Sequence, residues 1–270
     1  MRGAIIAALA IAALASPLHA ATPPKRIVSL NLCADQLILT LADRSQIAGL
    51  TRNAAKTNMS AEAARTKGLR ILGTSAEQIL EIDPDLVVGI PARRNAILQA
   101  LKMRKYPAVD LKSADTLEDI YASIRTVSDA VGHADRGEAM IARMEADLAR
   151  MPKLGRGRVA VYYQRRGYVT GTGTLVDDLM QRVGLVNLAQ KLGKSTLSQM
   201  SLEEMVAARP DFLIVESATD KVTDQGTEML HHPALDSIPR LHIPEAWTVC
   251  GGPAYTKAVH TLTEQLKRYR

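Results

Sequence analysis

The chain of 270 residues sets 34 lysines and arginines against 28 aspartates and glutamates, a formal charge of +6, and is 47% hydrophobic. This is enough apolar material for one large domain or two moderate lobes. The basic excess is scattered and forms no Lys/Arg stripe with interleaved aromatics, so no nucleic-acid partner is expected. Phe212 and Trp247 are the single residues of their kinds, so the cores must be built from Leu, Val, Ile, Ala and Met.

Residues 1–20 read as a signal peptide. Met1-Arg2-Gly3 is a basic start, a short apolar run follows, and Ser16 to Ala21 is a small-residue exit. The run is too short to span a bilayer comfortably, so an exported, soluble chain is expected.

The first lobe, residues 22–115, opens with a buried strand at 26–30. Asn31 caps the helix that follows. Further strands are expected at 47–50, 69–72, 86–90 and 108–111, with helices at 76–82 and 95–104 between them. This alternation is the signature of a parallel α/β layer. Residues 116–151 carry helical periodicity without strand signals, and predict a linking helix with a bend near Gly132 or Gly137. Alternation resumes over 152–270, with strands expected at 158–163 and near 241–243. The fold class is therefore α/β: two Rossmann-like lobes with parallel sheets, a single long helix between them, and a ligand cleft between the lobes.

A helix–turn–strand unit occurs once in each half. Glu77 to Val88 matches Glu203 to Ile214, with Pro84-Asp85 and Pro210-Asp211 in register. Proline ends each helix, and the Pro-Asp turn delivers the chain into a strand.

These features resemble the helical-linker class of periplasmic substrate-binding proteins of ABC importers. The resemblance covers roughly residues 25–266. It rests on the opening RIVSLNLCADQLILTLAD with IAGL after it, the doubled Glu…Pro-Asp unit, the mid-chain helix, and YYQRRGYVTGTGTLVDDLM followed by VGLVNL. The resemblance implies a monomer in the periplasm, without enzymatic activity, resident metal or cofactor. It would capture a metal chelate such as a ferric siderophore, cobalamin or haem, and pass it to an inner-membrane permease and its ATPase. It also implies that Glu77 and Glu203 dock on arginines of the permease. Read from the residues alone, each glutamate is simply a helix N-terminal residue favoured by the macrodipole.

In open α/β sheets, ligands sit beyond the carboxyl ends of strands. That rule nominates Asn31, Cys33, Asp35, Arg52, Arg93 and Arg94 in the first lobe. In the second it nominates Arg165, Tyr168, Trp247 and Cys250, within loops that include Gln164–Tyr168, Glu216-Ser217 and 245–253. Arginine forks suit carboxylates, catecholates and phosphates, although paired surface arginines are as often merely solvated. Trp247, in a loop rich in Pro, Thr and Gly, is placed to stack on a macrocycle or to plug its own lobe. Cys33 and Cys250 leave three readings open: a disulfide across the cleft, soft donors to a metal, or separate thiols. Gly171 to Thr174 lacks the spacing and lysine of a phosphate loop and reads as a turn and cap. The histidines show no metal-ligand spacing. A rival reading is a secreted enzyme, with Cys250 as nucleophile and His242 or His260 as base. Another is a two-lobed sensor domain.

Overall fold

The computed structural model describes residues 22–73, 75–89 and 106–269. The expected signal segment, Arg93, Arg94 and the helix expected at 95–104 lie outside the described residues.

The first lobe is a five-stranded parallel sheet of β1 (Ile27–Ser29), β2 (Ile47–Thr51), β3 (Ile71–Leu72), β4 (Leu86–Gly89) and β5 (Ala108–Asp110), in the order β3-β2-β1-β4-β5. β1 and β4 are buried along their whole length, as strands covered on both faces must be. Helix α1 (Leu32–Leu41) begins where the Asn31 side chain accepts the Ala34 N–H, and it is buried on most of its circumference. Helix α2 (Ala76–Ile82) matches its expected span.

The second lobe holds β6 (Val159–Tyr162), β7 (Tyr168–Thr170), β8 (Val186–Asn187), β9 (Leu197–Gln199), β10 (Phe212–Glu216) and β11 (Arg240–Ile243). Four of these form a parallel sheet in the order β11-β10-β6-β8, and β7 and β9 form an antiparallel ribbon.

The predicted single linking helix is two helices. These are α3 (Leu117–Ala130), capped by Thr116 and Asp119, and α4 (Ala134–Ala149). They are separated at Gly132, whose φ of +83° lies in the left-handed region that glycine adopts without strain. The chain turns back there: Arg125 pairs with Glu138 at 2.6 Å, and Gly137 lies directly on Ser128. Helix α3 packs on α1 of the first lobe, and α4 packs on the C-terminal helix Tyr255–Leu266 of the second. One apolar cluster runs from Ile27 and Ile38 through Ile124 and Ile141 to Phe212 and Leu262. The lobes thus share a core through a helical hairpin.

The doubled unit is a structural duplicate. Ser75 and Ser201 cap α2 and the helix Leu202–Ala208. Both helices end on left-handed residues, Asp83 and Arg209. Each Pro-Asp turn then pins the start of the neighbouring strand. Asp85 accepts the N–H groups of Lys25 and Arg26, and Asp211 accepts that of Val159. These bonds give partners to backbone donors at the starts of two interior strands.

Candidate functional site

In each sheet the strand order reverses next to the first strand, between β1 and β4 and between β6 and β10. The carboxyl ends at such reversals leave an open crevice where helix N-termini and strand-end residues converge. Here the two crevices face each other, and a trench lies between the lobes.

The trench has three adjoining parts. An apolar chamber of about 590 Å³ lies against the first lobe, walled by Leu30, Leu32, Met59, Leu72 and Ile79 with Arg52 and Asn31 among its polar groups. A polar chamber of about 300 Å³ lies between the lobes, lined by Tyr162, Gln164, Thr170, Glu216 and Glu245 and by Lys112 and Asp115 from the first lobe. An outer recess of about 410 Å³ continues past Gln164, Glu216 and Glu245 to Arg165, Arg166 and Tyr168.

Cys33 and Cys250 form a disulfide, which decides among the three readings of the pair. Their Cα atoms stand 5.3 Å apart, and both residues line the apolar and the polar chambers. An oxidised Cys250 is no nucleophile. The proposed bases are engaged elsewhere, His242 with Asp220 and His260 beside Glu264.

The polar chamber is acidic. Burial, and then the charge of Glu245, hold the Glu216 carboxyl above the usual carboxylate range, while the Tyr162 hydroxyl donates to its Oε1 at 3.2 Å. Burial likewise raises Glu245, and the Arg165 guanidinium opposes both shifts. Burial pushes the Tyr162 phenol far up, so it is a permanent donor. Arg165 is held by Asp224 at 2.5 Å.

Asn31, Cys33, Arg52, Arg165, Tyr168 and Cys250 therefore lie on the trench. Two nominated residues do not. Asp35 is fully buried within the first lobe, where its carboxylate accepts the N–H of Thr51 at 2.9 Å and the Thr51 hydroxyl at 2.5 Å. It anchors the end of β2 and lines none of the three chambers. Trp247 turns away from the trench because the 3-10 turn Glu245–Trp247 aims the indole at the opposite side, beside Met151, Asp147 and Lys257. There it plugs the core rather than offering a stacking face to the cleft. Glu77 and Glu203 are exposed at the starts of their helices.

The strand-end rule reaches the segments holding Glu216 and Glu245, whereas the convergence of these two side chains with Tyr162 comes only from the fold. The available signal was a polar residue ending a buried apolar run, as in FLIVE at β10. Gly251, within the loop expected at the cleft, makes a contact that only the fold reveals. A Cβ there would stand 2.3 Å from the Ala114 Cβ and 2.9 Å from its carbonyl oxygen, so the loop after β11 rests on the first lobe. Gly251→Ala is expected to cost about 1–3 kcal/mol, as overpacking does. Urea unfolding curves of the two proteins measure it, and an unchanged midpoint would refute the contact.

Among the described residues, no helix is long and apolar enough to cross a membrane. The fold is shared by the periplasmic haem-binding protein of Roseiflexus sp. RS-1, which is 26% identical, with a TM-score of 0.73 over 90% of this chain and 98% of that one. A cobalamin-binding protein of Halobacterium salinarum is 24% identical over 205 residues, 74% of this chain. The match spans 56% of that relative, so the chain covers little more than half its length. A vitamin B12-binding protein of Pectobacterium carotovorum is 26% identical over 72% of this chain and 71% of its own. A model of the periplasmic binding protein family matches residues 27–240, from the first strand of one lobe into the last strand of the other. That span takes in all of the first lobe's sheet and most of the second's, and the chain belongs to the periplasmic binding protein family.

Proposed function

We propose that this chain is the solute-binding component of an ABC importer, working as a monomer in the periplasm, and that it carries a metal chelate to an inner-membrane permease and its ATPase. The observation that carries this reading is the trench, walled by strand carboxyl ends from both lobes. A ligand held there touches both lobes, so its presence is recorded in their relation. The N-terminal segment and the disulfide support an exported, oxidising location.

Docking through Glu77 and Glu203 is supported by their duplicate settings. Each is held below the usual carboxylate range by local hydrogen bonds, in which the serine cap and the helix-start N–H groups take part, so each stays charged across physiological pH. One turn on, each has an exposed apolar companion, Leu80 and Val206.

Of the cargoes considered, a corrinoid fits best. Glu216, Glu245 and Tyr162 suit a chelate fringed with amides, and repel the carboxylates or catecholates of an anionic ferric siderophore. Two relatives named for binding cobalamin or vitamin B12 support the same choice. Haem is the second reading, supported by Tyr168, which is 37% exposed at the outer recess and offers a phenol to iron.

Calorimetric titration of the mature protein with cyanocobalamin, a ferric hydroxamate, a ferric catecholate and haemin tests this. Saturable one-to-one binding of cyanocobalamin is expected. Silence with all four would sink the chelate reading, whereas a haemin complex whose absorbance changes in Tyr168→Phe would establish the second. Trp247→Phe is expected to bind the cargo within about twofold of wild type, since only central, desolvated contacts carry large binding energies. A tenfold loss would return the indole to the site.

A further inference from the structure

We propose that the Cys33–Cys250 bond and the loop carrying it form a redox-responsive strap that divides the trench. The peptide chain crosses between the lobes at the helical hairpin, and this disulfide is a second covalent link, placed in the cleft itself. Cys33 belongs to the first turn of α1, and Cys250 to the loop after β11. The strap is the boundary between two compartments: the apolar and polar chambers share Cys33, Ser113, Val249 and Cys250 as a common wall. Beside it, Gly251 lies on Ala114 so closely that no side chain fits between them.

Oxidised, the strap holds the lobes at one spacing and keeps the chambers apart. A ligand must then fit one chamber or arch over the sulfurs. Reduced, the loop loses its covalent tie to the first lobe and keeps packing contacts such as those of Gly251 on Ala114 and Ile120. Gly251 and Gly252 give it the freedom to lift, and the two chambers become one.

The chemistry requires a dithiol reductant. Its thiolate attacks the sulfur of Cys33, which is only partly buried, whereas Cys250 is buried. The S–S bond breaks, Cys250 leaves as a thiolate and takes up a proton, and a mixed disulfide forms on Cys33. The second thiol of the reductant attacks its own sulfur in that bond and expels the Cys33 thiolate, which then takes up a proton. Two electrons pass from the dithiol, which leaves as a disulfide. Amide N–H groups at a helix start favour a thiolate, so Cys33 is a good leaving group in this step. The inference does not depend on which cargo is carried.

Hydrogen exchange read by mass spectrometry tests it on the full mature protein, oxidised and after dithiothreitol without denaturant. Both cysteines should become titratable. Exchange in residues 247–254 and 111–116 should rise about tenfold or more while the sheet strands stay protected, as local opening requires. Reoxidation should restore protection, and the C33S/C250S double variant should exchange like the reduced protein with or without dithiothreitol. A bond that resists dithiothreitol until the chain is denatured would overturn the proposal. So would a reduced protein that exchanges like the oxidised one, or one whose strands lose protection along with the loop, since the disulfide would then be only a structural staple.

Discussion

Replacing Glu77 and Glu203 together by lysine is expected to reduce cargo uptake roughly a hundredfold or more while leaving cargo affinity unchanged, because like charges set against each other at an interface exclude the partner. Both carboxylates are exposed on short helices and neither lines the apolar or the polar chamber, although Ser75 and Ile79 on either side of Glu77 wall the apolar one, so unchanged cargo affinity is itself a check on that wall. Each single reversal should fall between wild type and the double variant, since the lobes present separate copies of the same unit. Uptake by reconstituted vesicles containing the permease and its ATPase, with calorimetry on the same variants, separates the two effects. Full transport by the double variant would return both residues to the role of helix N-terminal residues. Because local hydrogen bonds hold these glutamates below the usual range, the dependence on them should not fade between pH 8 and pH 5.

Asp35 should give the wild-type protein a stability that falls as pH rises through the weakly acidic range. Burial raises its carboxyl from 3.8 to about 6, with the Thr51 hydrogen bonds opposing the shift. Between those values the folded chain keeps a proton that the unfolded chain has released, so the unfolded state gains on the folded one with rising pH. The contribution is fully present below about pH 4 and lost by about pH 6, roughly 3 kcal/mol in all at about 1.4 kcal/mol per unit. Asp35→Asn cannot ionise and can still meet both Thr51 groups, accepting from the N–H and donating to the hydroxyl. It is therefore expected to be at least as stable as wild type at pH 7.5, and to lack this component of the slope between pH 4 and 6. Glu216 and Glu245 shift in the same direction, so the difference between wild type and variant in urea unfolding at several pH values isolates Asp35. A variant that is weaker at pH 7.5 with the wild-type slope intact would mean that the carboxylate is charged there without cost. Since Thr51 immediately precedes Arg52 on the trench, this buried carboxylate also fixes one rim of the site.

Much of the fold was legible because its signals are local. Continuous apolar runs mark buried parallel strands. Asn31, Thr116 and Thr174 announce helix starts through side chains that reach N–H groups three residues on. The Pro-Asp turns repeat in register, and that duplication located both lobes and both exposed glutamates. Gly132 was legible as a joint, but a joint does not state its angle. The return of α4 along α3 depends on Gly137 meeting Ser128 and on Arg125 reaching Glu138.

The site was less legible because its geometry comes from contacts between distant segments. Strand ends nominate loops, yet a loop has two sides. The turn at Glu245–Trp247 put the carboxylate into the trench and the indole on the far face, an outcome set by packing against Met151 and the C-terminal helix. Asp35 has the polarity of a ligand-binding residue, but its position in α1 turns it inward onto Thr51. Glu216, Glu245 and Tyr162 converge because β6 and β10 are neighbours across the reversal of strand order. The pairing of Cys33 with Cys250, 217 residues apart, required both lobes to be folded and set face to face. The sequence by itself determined the two α/β lobes, their caps and their duplicated turns, because those follow from forces acting within a few residues. Only the tertiary structure decided which side chains share the trench and which bond crosses it, because those depend on how separately folded layers pack.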